Sequence, residues 1–362
     1  MSNSTDPSKQ DSPRGNWLRR EWRLLVGLGL SVACLWLALR EVSFIAVGEV
    51  LSAARWEWVA LAGLVGLIVT FVKAMRWQAL FLPQQLPLGK AWSVFMIGQM
   101  LNAVLPARAG EVGRIFFIGG VEGISRVKAL STVVVEKMVD LVMLSLAYLL
   151  AAAWLVTTPM GLPDWLRDAG VGLIPLAALA LGSLMLFVYA GRSMWRLLRR
   201  VLSPLPPSWQ ATADRSAQRI ISAFGALQRW PVSVRVWCWA LLIWTLTTLT
   251  NYLVFNAFGL SLSPEVALVL VVVLMSGVAI PPLPGNLGVF PYLCMLVLSL
   301  FGVNRETSLV YGVTLQMVAY LPVLVLGSAC MFWENWSLRR SSVASGEAGR
   351  DGPAGRRAKG RS

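Results

Sequence analysis

The sequence predicts an all-α fold: a polytopic helical bundle that spans a membrane. Three observations carry this. Apolar types make up 56% of the 362 residues and charged types only 14%, against roughly 25% charged in average soluble chains. Mean hydropathy is +0.64. The apolar residues also cluster in runs close to the roughly 20 residues that a bilayer core asks of a spanning helix.

The elements follow in order. Residues 1–22 form a polar tail. Six full spans are expected over 23–40, 58–75, 131–156, 170–190, 236–258 and 309–333. Two further segments are broken. One, 91–118, is interrupted by LPARAGE; the other, 265–302, is interrupted by PPLPGNLG at 281–288. The apolar arm before the second break, Val266 to Ile280, has 15 residues, short of the usual span. Each broken segment is either a re-entrant hairpin or a pair of short tilted helices, and returns the chain to the side it came from. The membrane domain ends near residue 336, and 337–362 form a basic, Gly/Ser/Arg-rich tail expected to be disordered.

Charge assigns the sides, since basic residues are retained in the cytoplasm. Lys9, Arg14, Arg19, Arg20 and Arg23 put the N-terminus inside. Lys73, Arg76, Lys90, Arg126 and Lys128 fall inside as well. The long loop 191–235 carries eight arginines against Asp214 and is cytoplasmic, as is the arginine-rich C-terminal tail. The first broken segment then opens to the cytoplasm and the second to the outside. Paired, Pro/Gly-interrupted segments in matching positions of two halves are a pointer to a transporter's binding site, and the pattern fits an inverted repeat. Within the long loop, Ile220, Phe224 and Leu227 recur at helical spacing among arginines, which suits a helix in the membrane interface or a solvated connector.

Several function classes are excluded or demoted. Histidine is absent, which removes Ser–His triads, His proton shuttles and HExxH zinc sites. Cys34, Cys238, Cys294 and Cys330 lie in apolar runs without CxxC spacing and read as small core residues. No nucleotide or metal motif is present, so no cofactor, metal or catalytic residue is expected. The net charge of +14 gathers in the tails and one loop; it reflects topology and anionic lipid headgroups rather than nucleic acid. Trp56, Trp58, Trp333 and Trp336 near span ends read as interfacial anchors.

The chemistry concentrates in the broken segments and the span after the first. Charges at membrane depth usually face a cavity or a partner. Arg108, Glu111 and Arg114 are spaced by three, with Asn102 on the preceding turn; Pro106 and Gly110 break or turn the backbone. Arginine binds phosphate in bidentate fashion, so this is either a recessed site for an anionic headgroup or an ion-paired cytoplasmic loop. Glu136 and Asp140, four apart on one helical face, are candidates for pairing with Arg108 or Arg114. Lys137 points elsewhere and snorkels, and Lys73 and Arg76 read as topology determinants. In the second break, Pro282, Pro284, Gly285 and Gly288 free backbone groups that need protein or cavity water. Asn286 is its one polar side chain. Gln316 and Tyr320 form a polar face on the last span.

Together these stretches resemble the lysylphosphatidylglycerol synthase transmembrane region family, also called flippase-like integral membrane proteins. The resembling motifs are N-x-x-x-P-x-R-x-G-E-x-x-R (Asn102 to Arg114), E-K-x-x-D (Glu136 to Asp140) and P-x-P-G-x-x-G-x-F (Pro282 to Phe290), and the likeness covers about residues 20–335. The resemblance implies lipid translocation by a stand-alone member without the aminoacyl-transferase domain of the best-known relatives. Where the family's third motif usually continues with glutamate, this chain has Pro291, so a carboxylate suited to a cationic headgroup is missing there. The expected function is an inner-membrane lipid flippase with both termini cytoplasmic, with Asn102, Arg108, Glu111, Arg114, Glu136, Asp140, Asn286 and Gln316 binding an anionic lipid headgroup. The alternatives are a membrane enzyme acting on a lipid-linked substrate, or a non-catalytic membrane subunit of an envelope-lipid pathway.

Overall fold

The computed structural model describes residues 43–82, 86–105, 109–118, 124–159, 161–201, 224–279 and 288–350, with several single positions, Asn286 among them. Every regular element among the described residues is helical. A short helix α1 (Phe44–Ala53), capped by the Ser43 hydroxyl, leads into α2 (Trp56–Ala79). Then come α3 (Leu88–Val104), α4 (Ala109–Ile118), α5 (Arg126–Val156), α6 (Asp164–Val201), α7 (Trp230–Ala257), α8 (Pro264–Ala279), α9 (Val289–Leu300) and α10 (Arg305–Arg350).

Five helices are long and apolar enough to cross a bilayer: α2, α5, α7 and the stretches Asp164–Gly191 of α6 and Arg305–Glu334 of α10. They match the second to sixth predicted spans. The first, 23–40, lies outside the described residues except for Trp36 and Leu39. The outward faces explain why a bilayer is needed. Leu64, Leu150, Leu241 and Leu321 are each more than half exposed, and an apolar belt of this kind is stable only against lipid.

The two broken segments are helical hairpins. In the first, Gly98 of α3 meets both Gly110 and Arg114 of α4, and Leu101 meets Gly113. The pairs run in opposite senses, so the chain turns back on itself. In the second, Gly277 of α8 lies against Leu293 of α9. The first hairpin depends on missing side chains. A methyl group on Gly110 would overlap the Gly98 carbonyl oxygen and lie 2.7 Å from Asn102 Oδ1, so the backbones approach as only glycine permits.

Packing sets the sides. The Arg55 N–H donates to the Ala257 carbonyl at 2.9 Å, and Leu80 shares a core with Val236, so α2 and α7 run antiparallel. Lys90 at the start of α3 pairs with Glu334 near the end of the spanning part of α10 at 2.5 Å. Lys128 at the start of α5 donates to the Phe81 carbonyl at 2.6 Å. These ends share one face of the membrane. On the other, Trp154 stacks on Phe301 with ring centroids 6.2 Å apart. The first hairpin therefore enters from the Lys90 face and the second from the Phe301 face. Helix α3 packs on α10, and α8 packs on α5. Each hairpin thus lies against a span of the other half, the exchange expected of an inverted repeat. One apolar core fills the Phe301 side, around Leu155, Leu270 and Tyr311. Two fill the Lys90 side, around Val139 and Val236 and around Trp77 and Phe95.

The structure corrects several sequence expectations. Helix α6 runs to Val201 and α7 starts at Trp230, so the loop expected over 191–235 is shorter at both ends. Phe224 stacks on Phe187 at 5.0 Å and, with Leu227, is buried against Val188 and Val236. That apolar stripe faces the bundle, not the membrane interface, because a packed protein groove offers it more contact than headgroups would; Ile220 lies outside the described residues. Helix α10 continues to Arg350, where a disordered tail was expected from 337. Extending a formed helix needs no new nucleus. Of the tryptophans expected as interfacial anchors, Trp56 is exposed at the start of α2 and Trp333 near the end of the spanning part of α10, whereas Trp58 packs against the core. Cys294 is buried and Cys238 exposed.

Candidate functional site

A cavity of about 340 Å³ sits between the two apolar layers. Its wall is built from the middle of α2 (Thr70, Lys73), the inner ends of both hairpins (Asn102 and Glu111 from the first, Asn286 and Phe290 from the second), α5 through Lys137, α7 (Thr247, Thr250, Asn251) and α10 (Tyr320). The two hairpins, entering from opposite faces, reach the same space. Irregular backbone at membrane depth is tolerated where it lines such a space. At the second tip, Asn286 adopts a positive φ of 53° and Gly288 one of 83°, a left-handed turn that asparagine and glycine tolerate best. The Asn286 side chain then donates to the Tyr320 hydroxyl at 2.6 Å, tying the tip to α10.

Beside the cavity lies a network of charges. Arg76 donates to Asp140 at 2.6 Å and lies 3.8 Å from Glu136. Arg114 donates to Glu136 at 3.2 Å. Its guanidinium lies over both Trp77 and Phe95, 5.1 and 4.7 Å from the ring centroids, a cation–π arrangement. Trp77 is fixed in turn, its indole N–H donating to Thr132 at 3.2 Å. Arg76 and Arg114 are each 1% exposed. Buried charges persist only when paired, and here three helices supply the partners. Lys137 pairs with Glu111 at 2.6 Å, bridging α5 and α4 at the cavity wall. Among the described residues no group of three or more Cys, Asp and Glu is arranged to hold a metal.

The predicted site residues therefore divide. Asn102, Glu111 and Asn286 line the cavity, and Asn102 Oδ1 is buried without a hydrogen-bond partner. Arg114, Glu136 and Asp140 come together in the ion-pair network beside the cavity, and the Arg114–Glu136 contact is one of the pairings the sequence offered. Desolvation explains the Glu136 contacts: this carboxylate is buried and takes the nearest guanidinium groups as partners, while Asp140, one third exposed, pairs with Arg76 alone. Gln316 is buried on α10 but outside the lining. Gly110 is the close-approach glycine of the first hairpin, and Gly288 caps α9. Pro106, Arg108, Pro282, Pro284 and Gly285 lie outside the described residues. The readings of three cations change. Arg76, read as a topology determinant, is at the centre of the network. Lys137, read as snorkelling, is ion-paired. Lys73, also read as a topology determinant, lines the cavity. The signal was present in the sequence: Glu136 and Asp140 in an apolar span required two buried cations, and Arg76 ends the preceding full span.

A family model described as the lysylphosphatidylglycerol synthase transmembrane region matches residues 24–327. The chain belongs to this family. A relative, a UPF0104 membrane protein of Methanothermobacter thermautotrophicus, is 24% identical over 314 residues, covering 80% of this chain and 90% of its own length. Family membership and the spanning helices together make this lysylphosphatidylglycerol synthase transmembrane region protein a multi-pass integral membrane protein.

Proposed function

We propose that this protein is a lipid translocase, moving a phospholipid or lipid-linked headgroup across the inner membrane without chemical turnover. One observation carries the proposal: two hairpins inserted from opposite faces converge on one cavity at membrane depth with charged and amide side chains in its wall. In that geometry a headgroup can exchange its hydration for protein groups while the acyl chains stay in lipid, and each hairpin forms the barrier toward its own side. Discontinuous helices at a repeat interface serve transporters in this way. The family's name, taken from a lipid synthase's membrane region, fits the same substrate class. By the distribution of basic residues, the Lys90 face is cytoplasmic and both termini lie on that side.

The test is translocation of headgroup-labelled lipid in proteoliposomes. The wild type is expected to move at least one lipid class between leaflets. Asn286→Ala, which releases the second tip from Tyr320, is expected to change the rate while the protein remains folded. A wild type that leaves every labelled phospholipid in its starting leaflet refutes autonomous translocation.

A further inference from the structure

We infer that the cavity opens sideways, into the bilayer, at the seam between the first hairpin and α5, and that the Glu111–Lys137 ion pair is the gate of this portal. A lipid headgroup passes there while its acyl chains stay among the apolar side chains outside. The inference concerns the route of entry and rests on the translocase proposal.

It begins from two residues that line the cavity, Glu111 and Lys137. Lys137 also belongs to the outer surface. Leu130, Val134 and Lys137 follow at helical spacing on one face of α5, and the two apolar residues are 50% and 38% exposed. Across the seam, Val112 and Phe116 of α4 are each more than half exposed, and Glu111 adjoins Val112. Helix α5 begins at Arg126, so at 1.5 Å per residue Lys137 lies about 16 Å along it. That is about half of a bilayer core of roughly 30 Å. Exposed apolar faces at this depth meet lipid, so the ion pair stands between lipid and cavity. The rim continues in Leu105 at the end of α3 and Met275 on α8, which both line the cavity and are both exposed. An opening edged with such side chains suits an acyl chain.

The pair is also the one that can part. The Lys137 and Glu111 side chains are 41% and 20% exposed, and accessible ion pairs hold weakly. Three residues along α4, Arg114 meets Glu136 with side chains 2% and 6% exposed, and a buried pair is costly to break from one side. The hairpin therefore stays anchored by Arg114 while the outer pair opens by turning two long side chains. An arriving lipid drives the exchange, because its phosphate offers Lys137 the negative charge that Glu111 otherwise supplies.

The test is access of a lipid-borne thiol reagent to the cavity, with the full chain in phosphatidylcholine vesicles. Thr247 lines the cavity, and Thr247→Cys supplies the one thiol once the native cysteines are replaced by alanine. The probe is a phospholipid carrying a maleimide on its headgroup. Glu111→Ala and Lys137→Ala are each expected to speed labelling several-fold. Glu111→Lys/Lys137→Glu, which rebuilds the pair, returns the rate to its starting value. Lys90→Ala, which breaks an ion pair away from the cavity wall, leaves the rate unchanged. Equal labelling in the parent and in both folded single variants overturns the gate. A charged, water-soluble maleimide that gains as much from Glu111→Ala as the lipid probe does shows a mouth open to water, and lateral entry falls. Labelling is read without transport, so the two proposals fail separately. A protein whose labelling follows the ion pair but which moves no lipid between leaflets overturns translocation alone. One that transports while its labelling ignores the pair overturns the portal alone.

Discussion

Arg114 offers a sharp separation between a structural ion pair and a headgroup contact. The residue is 1% exposed, and its guanidinium lies 3.2 Å from Glu136 and over two aromatic rings. Replacing it with methionine removes the cation and leaves Glu136 with Arg76 alone, 3.8 Å away. Breaking a buried pair from one side costs about 3–5 kcal/mol. The residual Arg76 contact places this case near the lower end, about 3 kcal/mol. At about 2–4 °C per kcal/mol, the apparent unfolding temperature of Arg114→Met should fall by about 6–12 °C. The double variant Arg114→Met/Glu136→Met removes both charges and fills the space with apolar atoms. Replacing a buried pair in this way is often neutral or stabilising, and Arg76 keeps Asp140. The double variant should therefore recover most of the lost stability and translocate lipid as the wild type does. Thermal unfolding in detergent and translocation in proteoliposomes read the two quantities. A double variant that is stable but does not transport would show that Arg114 acts on the headgroup; one as unstable as the single variant would show that the pair is not what the hairpin needs.

Three further outcomes are expected. Gly110→Ala forces α3 and α4 apart at the Gly98 carbonyl and should lower thermal stability well beyond the roughly 0.5–1 kcal/mol gain that an unhindered helical Gly→Ala would bring; a stabilised variant would contradict the close approach. Phe224→Ala removes a buried ring stacked on Phe187 and should cost about 3–5 kcal/mol, read by thermal unfolding; an unchanged midpoint would return that stripe to the membrane interface. Exchanging the charges in Glu111→Lys/Lys137→Glu should restore transport lost in either single variant, because the pair is 2.6 Å apart with one partner on each of two helices; a double variant as impaired as the singles would mean that the groups act separately.

Much of the fold was legible because the bilayer imposes a coarse rule. Length and hydropathy located the spans α2, α5, α6, α7 and α10, and Pro/Gly interruptions located both hairpins. The pairing of charges was less legible. Spacing by three suggested that Arg108, Glu111 and Arg114 act as one group, yet Glu111 turns to Lys137 on α5 and Arg114 turns to Glu136. A residue's neighbours on its own helix are fixed by periodicity, but its partner across helices depends on crossing positions that the sequence does not state. Lys73 and Arg76 show the same limit. At the inner end of a span, a cation reads as a topology signal until the helix carrying two carboxylates is seen packed beside it. The stripe containing Phe224 had the right periodicity, but periodicity does not distinguish lipid from protein as the apolar partner.

Helix α7 carries a mechanical consequence. Thr245, Thr247, Thr248, Thr250 and Asn251 all donate side-chain protons to carbonyls four residues earlier on the same helix. Those carbonyls already accept main-chain bonds, and sharing an acceptor loosens the ladder and favours bending. The loosened stretch lies where α7 borders the cavity. The cavity wall therefore has a compliant member with neither proline nor glycine in the loosened stretch, and in the proposed translocation space for a headgroup would come from flexing one long helix while the ion-paired first hairpin stays in place.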